Sequence, residues 1–318
     1  MSKDIIVETD NFTIEFVKPG IWAVIAKVGG VAVSNSGIVD LGDKTILFDT
    51  FMSPLAAKEL VEKAKDLTNN EKFLIVNSHW HWDHNRGNQV FHPTFEIIST
   101  TKTREIMESD GKEYLAKDKA GGLQNSLTNM KETLKKDLDD DSRGIVTSLI
   151  TRYSKLVEEI PNVSLTLPSM TFESSLTIYG SERKAQILTF GAGHTDSDAI
   201  LFIPDEGVVF TADLIVNGRH LYMGDSTPLE WINRIQDVAA LEPKFVIPGH
   251  GNKGGNEIVN NQENYIKHIY EMASQMIEKN ASREDLDKLA LPDIYKSWPF
   301  PQNYANNINT MINALKSN

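Results

Sequence analysis

No cysteine occurs anywhere in the 318 residues of this chain. That zero excludes a disulfide framework, a thiolate nucleophile and a thiolate metal ligand. Long apolar runs are missing too: no stretch of about 18 apolar residues reads as a membrane span. Met1 to Asp10 carries acids and lacks the apolar stretch of an export signal, so a cytoplasmic location is the expectation. Positive charge is in deficit, with 32 Lys and Arg against 44 Asp and Glu and a formal net charge of -12. Non-specific nucleic-acid affinity comes mainly from Lys and Arg neutralising phosphates, so the expected partner is a small-molecule substrate, with no nucleic acid and no membrane.

What is present reads as an α/β chain. Thr13 to Val17, Ile21 to Val28, Val31 to Ser34, Gly37 to Leu41 and Thr45 to Phe48 are apolar stretches separated by Pro19-Gly20, Gly29-Gly30 and Gly42-Asp43, a run of antiparallel strands. Pro54 then opens a helical pattern through Leu60, Val61, Ala64 and Leu67, followed by a buried strand, Phe73 to Val76, and another, Phe95 to Ile98. From 101 to 161 leucines at helical spacing predict a helical hairpin, its second helix capped in the Asp139 to Ser142 turn. The insertion either packs on the body or walls a site. Strand signals return at Val163 to Leu167, Met170 to Phe172, Leu176 to Tyr179, Ala185 to Phe190, Ala199 to Phe202 and Val208 to Phe210. A helix from Pro228 to Leu241, a strand at Phe245 to Ile247 and a helical extension over about 256–318, broken at Pro292, Pro299 and Pro301, complete the chain. We read 1–318 as a single domain with these two additions.

Three of the eight histidines fall within six residues, in Ser78-His79-Trp80-His81-Trp82-Asp83-His84-Asn85. The run follows the strand Phe73 to Val76 at its carboxyl end, where open α/β sheets place their sites. Imidazole is the common neutral ligand for a borderline-soft cation, and a neighbouring carboxylate adds oxygen donors. Two more histidines stand among glycines after strands, in Gly191-Ala192-Gly193-His194 and in Pro248-Gly249-His250-Gly251, and Asp213 ends Phe210-Thr211-Ala212-Asp213.

In order and spacing, the run His79 to His84 followed by His194, Asp213 and His250 resembles the metallo-β-lactamase-fold superfamily, over about residues 12 to 255. The resemblance implies a four-layer αβ/βα sandwich. It implies that His79, His81 and His194 hold one metal, that Asp83, His84 and His250 hold a second, and that Asp213 bridges them. The expected cofactors are two zinc ions per chain, with iron or manganese as alternatives. Asp49, after Thr45 to Phe48, is either a turn former or the carboxylate that fixes a histidine tautomer from behind. Two such cations lower the pKa of a bridging water towards 7 and stabilise the oxyanion formed on attack, so a bridging hydroxide is the expected nucleophile. Asp83 is the candidate proton acceptor and donor.

The implied activity is hydrolysis of an ester, lactone, thioester or amide bond. Without cysteine, the lactamase branches with a Cys ligand are out. His84 fits the remaining branches, and a bridging Asp213 favours the hydrolases that are not lactamases. A β-lactamase, a mononuclear iron persulfide dioxygenase and a catalytically silent metal-binding module stay as alternatives. Trp80, Trp82, Phe51 and Tyr222 are candidate walls of a substrate pocket, with Met52 and Trp231 nearby in sequence. Arg219 and His220 either contact an anionic group or belong to a solvated loop.

Overall fold

The computed structural model describes residues 5–317; Met1 to Asp4, the start of the segment read for an export signal, lie outside them. The chain folds into two compact units. One runs to Glu173 and adds Ile178–Lys184; the other joins Ser174–Thr177 to everything from Ala185 onward.

The first unit is built on eight strands in sequence order: β1 (Ile5–Glu8), β2 (Phe12–Lys18), β3 (Ile21–Ala26), β4 (Ser36–Asp40), β5 (Thr45–Phe48), β6 (Phe73–Val76), β7 (Glu96–Thr100) and β8 (Met170–Phe172). Pairing is antiparallel from β1 to β5 and parallel from β5 to β8. Parallel neighbours need a crossover, supplied between β5 and β6 by α1 (Pro54–Thr68). Proline sits in the first turn of α1, where its missing N–H costs nothing. Ser53 caps the helix by accepting the N–H groups of Leu55 and Ala56. Ala56, Ala57, Leu60 and Ala64 bury its inner face in a core shared with Leu47, Ile75 and Phe91. The parallel run brings the carboxyl ends of β5, β6 and β7 to one edge, and the chain leaves that edge at Asp49, Asn77 and Thr101.

Two expected strands are absent. Val31 to Ser34 is buried loop, because Val33 takes a left-handed φ of 74° that a strand cannot hold. Val163 to Leu167 is extended without sheet pairing. Conversely β1 is an unexpected strand: it is four residues long, and although Ile5, Ile6 and Val7 are apolar, none of them is buried.

Residues 101–162 are helical apart from the turn before residue 140. The first arm joins α3 (Thr101–Ile106) to α4 (Lys112–Lys117) through a π-helical turn, Met107–Gly111, and α4 to α5 (Leu123–Thr133) through a kink over Asp118–Gly122, where Gly121 takes a φ of 111°. The second arm is α6 (Asp140–Glu159). Its cap is Asp139, whose carboxylate accepts the Ser142 N–H at 2.7 Å, so Ser142 already belongs to the first turn. A short helix, α2 (Trp82–Asn85), follows β6.

A second sheet has five strands in the order β13 (Phe245–Pro248), β12 (Val208–Ala212), β11 (Ala199–Ile203), β10 (Lys184–Thr189) and β9 (Ser175–Tyr179), of which Ile178, Tyr179 and Lys184 belong to the first unit and the rest to the second. β10, β11 and β12 pair antiparallel while β12 and β13 run parallel. The carboxyl ends of β10, β12 and β13 therefore lie at one edge. Helices α7 (Pro228–Ala239), α8 (Asn256–Glu278), α9 (Arg283–Asp287) and α10 (Gln302–Ser317) pack with the sheet in a core that includes Ile200, Val246, Ile235 and Ile266. Among the described residues no helix is long and apolar enough to cross a membrane.

Candidate metal centre

The sequence after β6 folds into a loop that turns four potential ligands inward. His79, His81, Asp83 and His84 are all buried. Asn85 holds the loop shut, its amide donating to the carbonyls of Trp80 at 2.8 Å and His81 at 2.9 Å. Donor atoms of His79 lie within 4.8 Å of donors on both His81 and His84, and Asp83 and His84 are as close to each other.

Hydrogen bonds behind the loop determine which imidazole nitrogen carries the proton. Asp49 accepts the Ser78 backbone N–H at 2.8 Å and the Ser78 hydroxyl at 2.8 Å, and its Oδ2 lies 2.7 Å from Nδ1 of His84. An Nδ1 so close to a carboxylate is its donor, which leaves the lone pair of His84 on Nε2. That nitrogen faces Oδ2 of Asp83 at 3.8 Å. The Ser78 hydroxyl has one proton and gives it to Asp49, so its oxygen accepts from Nδ1 of His79 at 2.9 Å. His79 is thereby held in the same tautomer, with its lone pair on Nε2. Burial pushes the Asp49 carboxyl up from its ordinary value, and His84 and then Ser78 draw it back down. Asp49 adopts a left-handed φ of 66°, which an aspartate tolerates better than most residues. Both readings of this residue hold together: it is a turn former and it fixes a histidine tautomer.

The second unit assembles three further candidates. Nε2 of His194 and Nε2 of His250 lie 3.5 and 3.4 Å from Oδ2 of Asp213, so one carboxylate oxygen faces two imidazoles. Ala212, at a left-handed φ of 44°, turns the chain out of β12 to place Asp213. Gly249 lets β13 approach it: a Cβ there would stand 2.0 Å from Oδ1 of Asp213. The His194 turn is tied by Asp198, which accepts the N–H of Thr195 at 3.0 Å and its hydroxyl at 2.7 Å. Burial pushes Asp198 up to about 7 against the pull of those Thr195 bonds.

The remaining sequence candidates separate. Phe51 is wholly buried and stacks on Phe12 at 5.4 Å, so it is a core residue and not a pocket wall; its left-handed φ of 68° turns it away from the course of β5. Met52 is in the same core. Trp231 is likewise core, with its indole N–H donated to the Leu214 carbonyl at 3.0 Å. His220 is not on a solvated loop: it is buried, 2.8 Å from the Tyr265 hydroxyl and ringed by Tyr295, Trp298 and Tyr304. Arg219 covers the Phe300 ring at 4.6 Å. Trp80 is buried edge-on to His81 at 4.6 Å, Trp82 is half-buried, and Tyr222 is exposed. Ser78, Asn85 and Asp198 escaped the sequence reading. Ser78 and Asn85 flank the histidine run and carry that much signal, whereas Asp198 carries none.

Buried imidazoles with oriented lone pairs beside carboxylates are groups that could hold a metal ion. Comparison with known proteins agrees. The profile of the metallo-beta-lactamase superfamily matches residues 29–250, well over half of the chain, and the protein belongs to that family. The metallo-beta-lactamase type 2 of Bacteroides fragilis is 26% identical over 122 residues, which are 37% of this chain and 46% of that protein. The matched segment thus spans less than half the length of that relative. Among solved structures, a metallo-beta-lactamase from Pontibacter korlensis superposes with a TM-score of 0.57 at 15% identity, covering 80% of this chain and 99% of the other. One from Hirschia baltica gives 0.57 at 19% identity, covering 81% and 98%. The α/β architecture is therefore the metallo-β-lactamase fold.

Proposed function

We propose that the chain is a zinc-dependent hydrolase with a dinuclear centre. His79, His81 and His194 would hold one ion and Asp83, His84 and His250 the other, with the Asp213 carboxylate shared between them. The observation that carries this reading is the network from Asp49 through Ser78, which protonates His79 and His84 on Nδ1 and presents Nε2 of both as donors. A histidine serving only the core would have no need of a buried carboxylate to set its tautomer. With zinc held by these residues, the centre would supply a water of lowered pKa and positive charge for the attacked carbonyl oxygen. Asp83, within the ligand loop, is the group to accept the water's proton and return it to the leaving group. Iron or manganese would use the same donors.

The substrate is a small molecule with an ester, lactone, thioester or amide bond. Zero cysteine, His84 and Asp213 together favour a hydrolase other than a β-lactamase, whereas the named relatives are lactamases, so a β-lactam belongs in the test. Zinc-loaded protein is assayed on a lactone, a thioester, a phosphodiester and a β-lactam, with His81→Ala as blank and zinc content measured for both. We expect two zinc ions per chain and turnover of the lactone or thioester that the variant loses. Silence on all four with two ions bound overturns the hydrolase reading; oxygen consumption by the iron-loaded protein on a persulfide would identify the dioxygenase, and its absence a binding module.

A further inference from the structure

We propose that Tyr114, carried by the helical insertion, is a specificity-determining residue that closes a three-ring wall for a flat apolar group of the substrate. This deepens the hydrolase reading and rests on it for the word substrate. The ring of Tyr114 lies 5.7 Å from that of Trp80 and 5.9 Å from that of Trp82, the two residues interleaved with the ligands His79, His81 and Asp83. Trp80 in turn stands edge-on to His81. The three indole and phenol rings therefore adjoin the ligand loop itself. Their exposure is graded: Trp80 is buried, Trp82 half-buried, and Tyr114 36% exposed. Three aromatic rings with one open side offer stacking and edge contacts and no charged group of their own.

The insertion is fixed in place for this role. Arg86, two residues after His84, is buried and forms an ion pair with buried Asp118 of the insertion, while its guanidinium covers the Trp82 ring at 4.7 Å. A buried pair of this kind is weak as a source of stability but strict about geometry. Ile106 and Met107 of the same arm pack on Trp80. A π-helical turn, Met107–Gly111, precedes α4, and Gly121, at a left-handed φ of 111°, kinks the chain after it, so α4, which carries Tyr114, is set apart from the helices on either side. Arg86 is neutralised by Asp118, and a second cation at the wall, Lys117, lies over the Tyr114 ring at 5.1 Å, so the rings themselves offer apolar shape.

The test measures binding, not turnover. Dissociation constants of 4-phenylbutyrate and acetate are determined by calorimetry for the wild type, Tyr114→Ala and Tyr114→Phe, each with its zinc content. We expect the wild type to bind phenylbutyrate more tightly than acetate. Tyr114→Ala should weaken phenylbutyrate by about tenfold and leave acetate unchanged, and Tyr114→Phe, which keeps the ring, should match the wild type. Equal phenylbutyrate affinity in wild type and Tyr114→Ala, or no wild-type preference over acetate, overturns the inference whatever the zinc content. A chain that binds no zinc yet shows the Tyr114-dependent preference would retain the wall and sink the metal centre.

Discussion

Asp49 and Gly249 never touch a substrate in this scheme, yet each sets a ligand. Replacing Asp49 by Asn keeps the shape and removes the charge that holds the proton on Nδ1 of His84. Zinc affinity should fall by about 10- to 100-fold, as removal of such supporting carboxylates does elsewhere, and competition with a chromogenic chelator would show it. Unchanged affinity would mean that His84 needs no help with its tautomer. Gly249→Ala forces a methyl group onto the Asp213 carboxylate and the Ala212 backbone. The expected cost is about 1–3 kcal/mol of stability, read as a lowered urea midpoint. The candidate ligands stand out in the sequence because their spacing is dense and each follows a strand. Phe51 was misplaced for a physical reason: closeness along the chain to Asp49 says nothing of direction once the backbone turns left-handed at both residues. Asp198 was hidden because its partner Thr195 gives it a role only after the turn has formed.

Elements were legible where apolar stretches were long and bounded by Gly or Pro. β5, β6 and β8 occupy the expected residues, and α1 starts where Pro54 and its cap demanded. The failures were segments whose pairing depends on distant chain: Val163 to Leu167 has strand composition but gains no strand partner. The cap of α1 also has a long-range side. The Ser53 hydroxyl donates to Glu159, at the end of α6, at 2.7 Å. Ser53→Ala removes the cap and that tie together, and the loss should reach about 1–2 kcal/mol by thermal or chemical melting. Losing no more than a few tenths would show that Glu159 caps α1 unaided. On the other unit, His220 joins the chain after Asp213 to α8 and α10. Burial lowers its pKa from the ordinary 6.5, with a Tyr295 backbone group opposing. The groups around it are Tyr265, Tyr295 and Tyr304, all raised by burial and so uncharged near neutrality. His268, which lies beside Tyr295 and Tyr304, is lowered like His220. The unfolded chain therefore takes up protons before the folded one does. This stabilising contribution is complete above pH 6.5 and is lost as pH falls below it. Melting temperatures at pH 7.5 and 5.5 should differ less in His220→Gln than in the wild type, with His268 supplying part of what remains.

At the scale of the whole molecule, the proposed centre would make bound metal a component of stability. An ion held by the folded chain alone adds about 4 kcal/mol when its free concentration is roughly a thousand times its Kd. Chelation with EDTA should accordingly lower the melting temperature and added zinc restore it; a midpoint indifferent to both would count against the centre. The acidic balance should keep duplex DNA from binding even at low salt. The two units are also not consecutive in the chain, since Ile178–Lys184 returns to the first after Ser174–Thr177 has joined the second. That returning segment is bonded into turns laid down far earlier: Glu182 donates its N–H to the Leu41 carbonyl at 3.0 Å, Arg183 its guanidinium to the Pro19 carbonyl at 2.7 Å, and Lys44 its ammonium to the Tyr179 carbonyl at 2.8 Å. On the ribosome, then, the first unit stays unfinished until residue 184 has emerged, by which time the second has begun. No single cut in the gene yields both units whole.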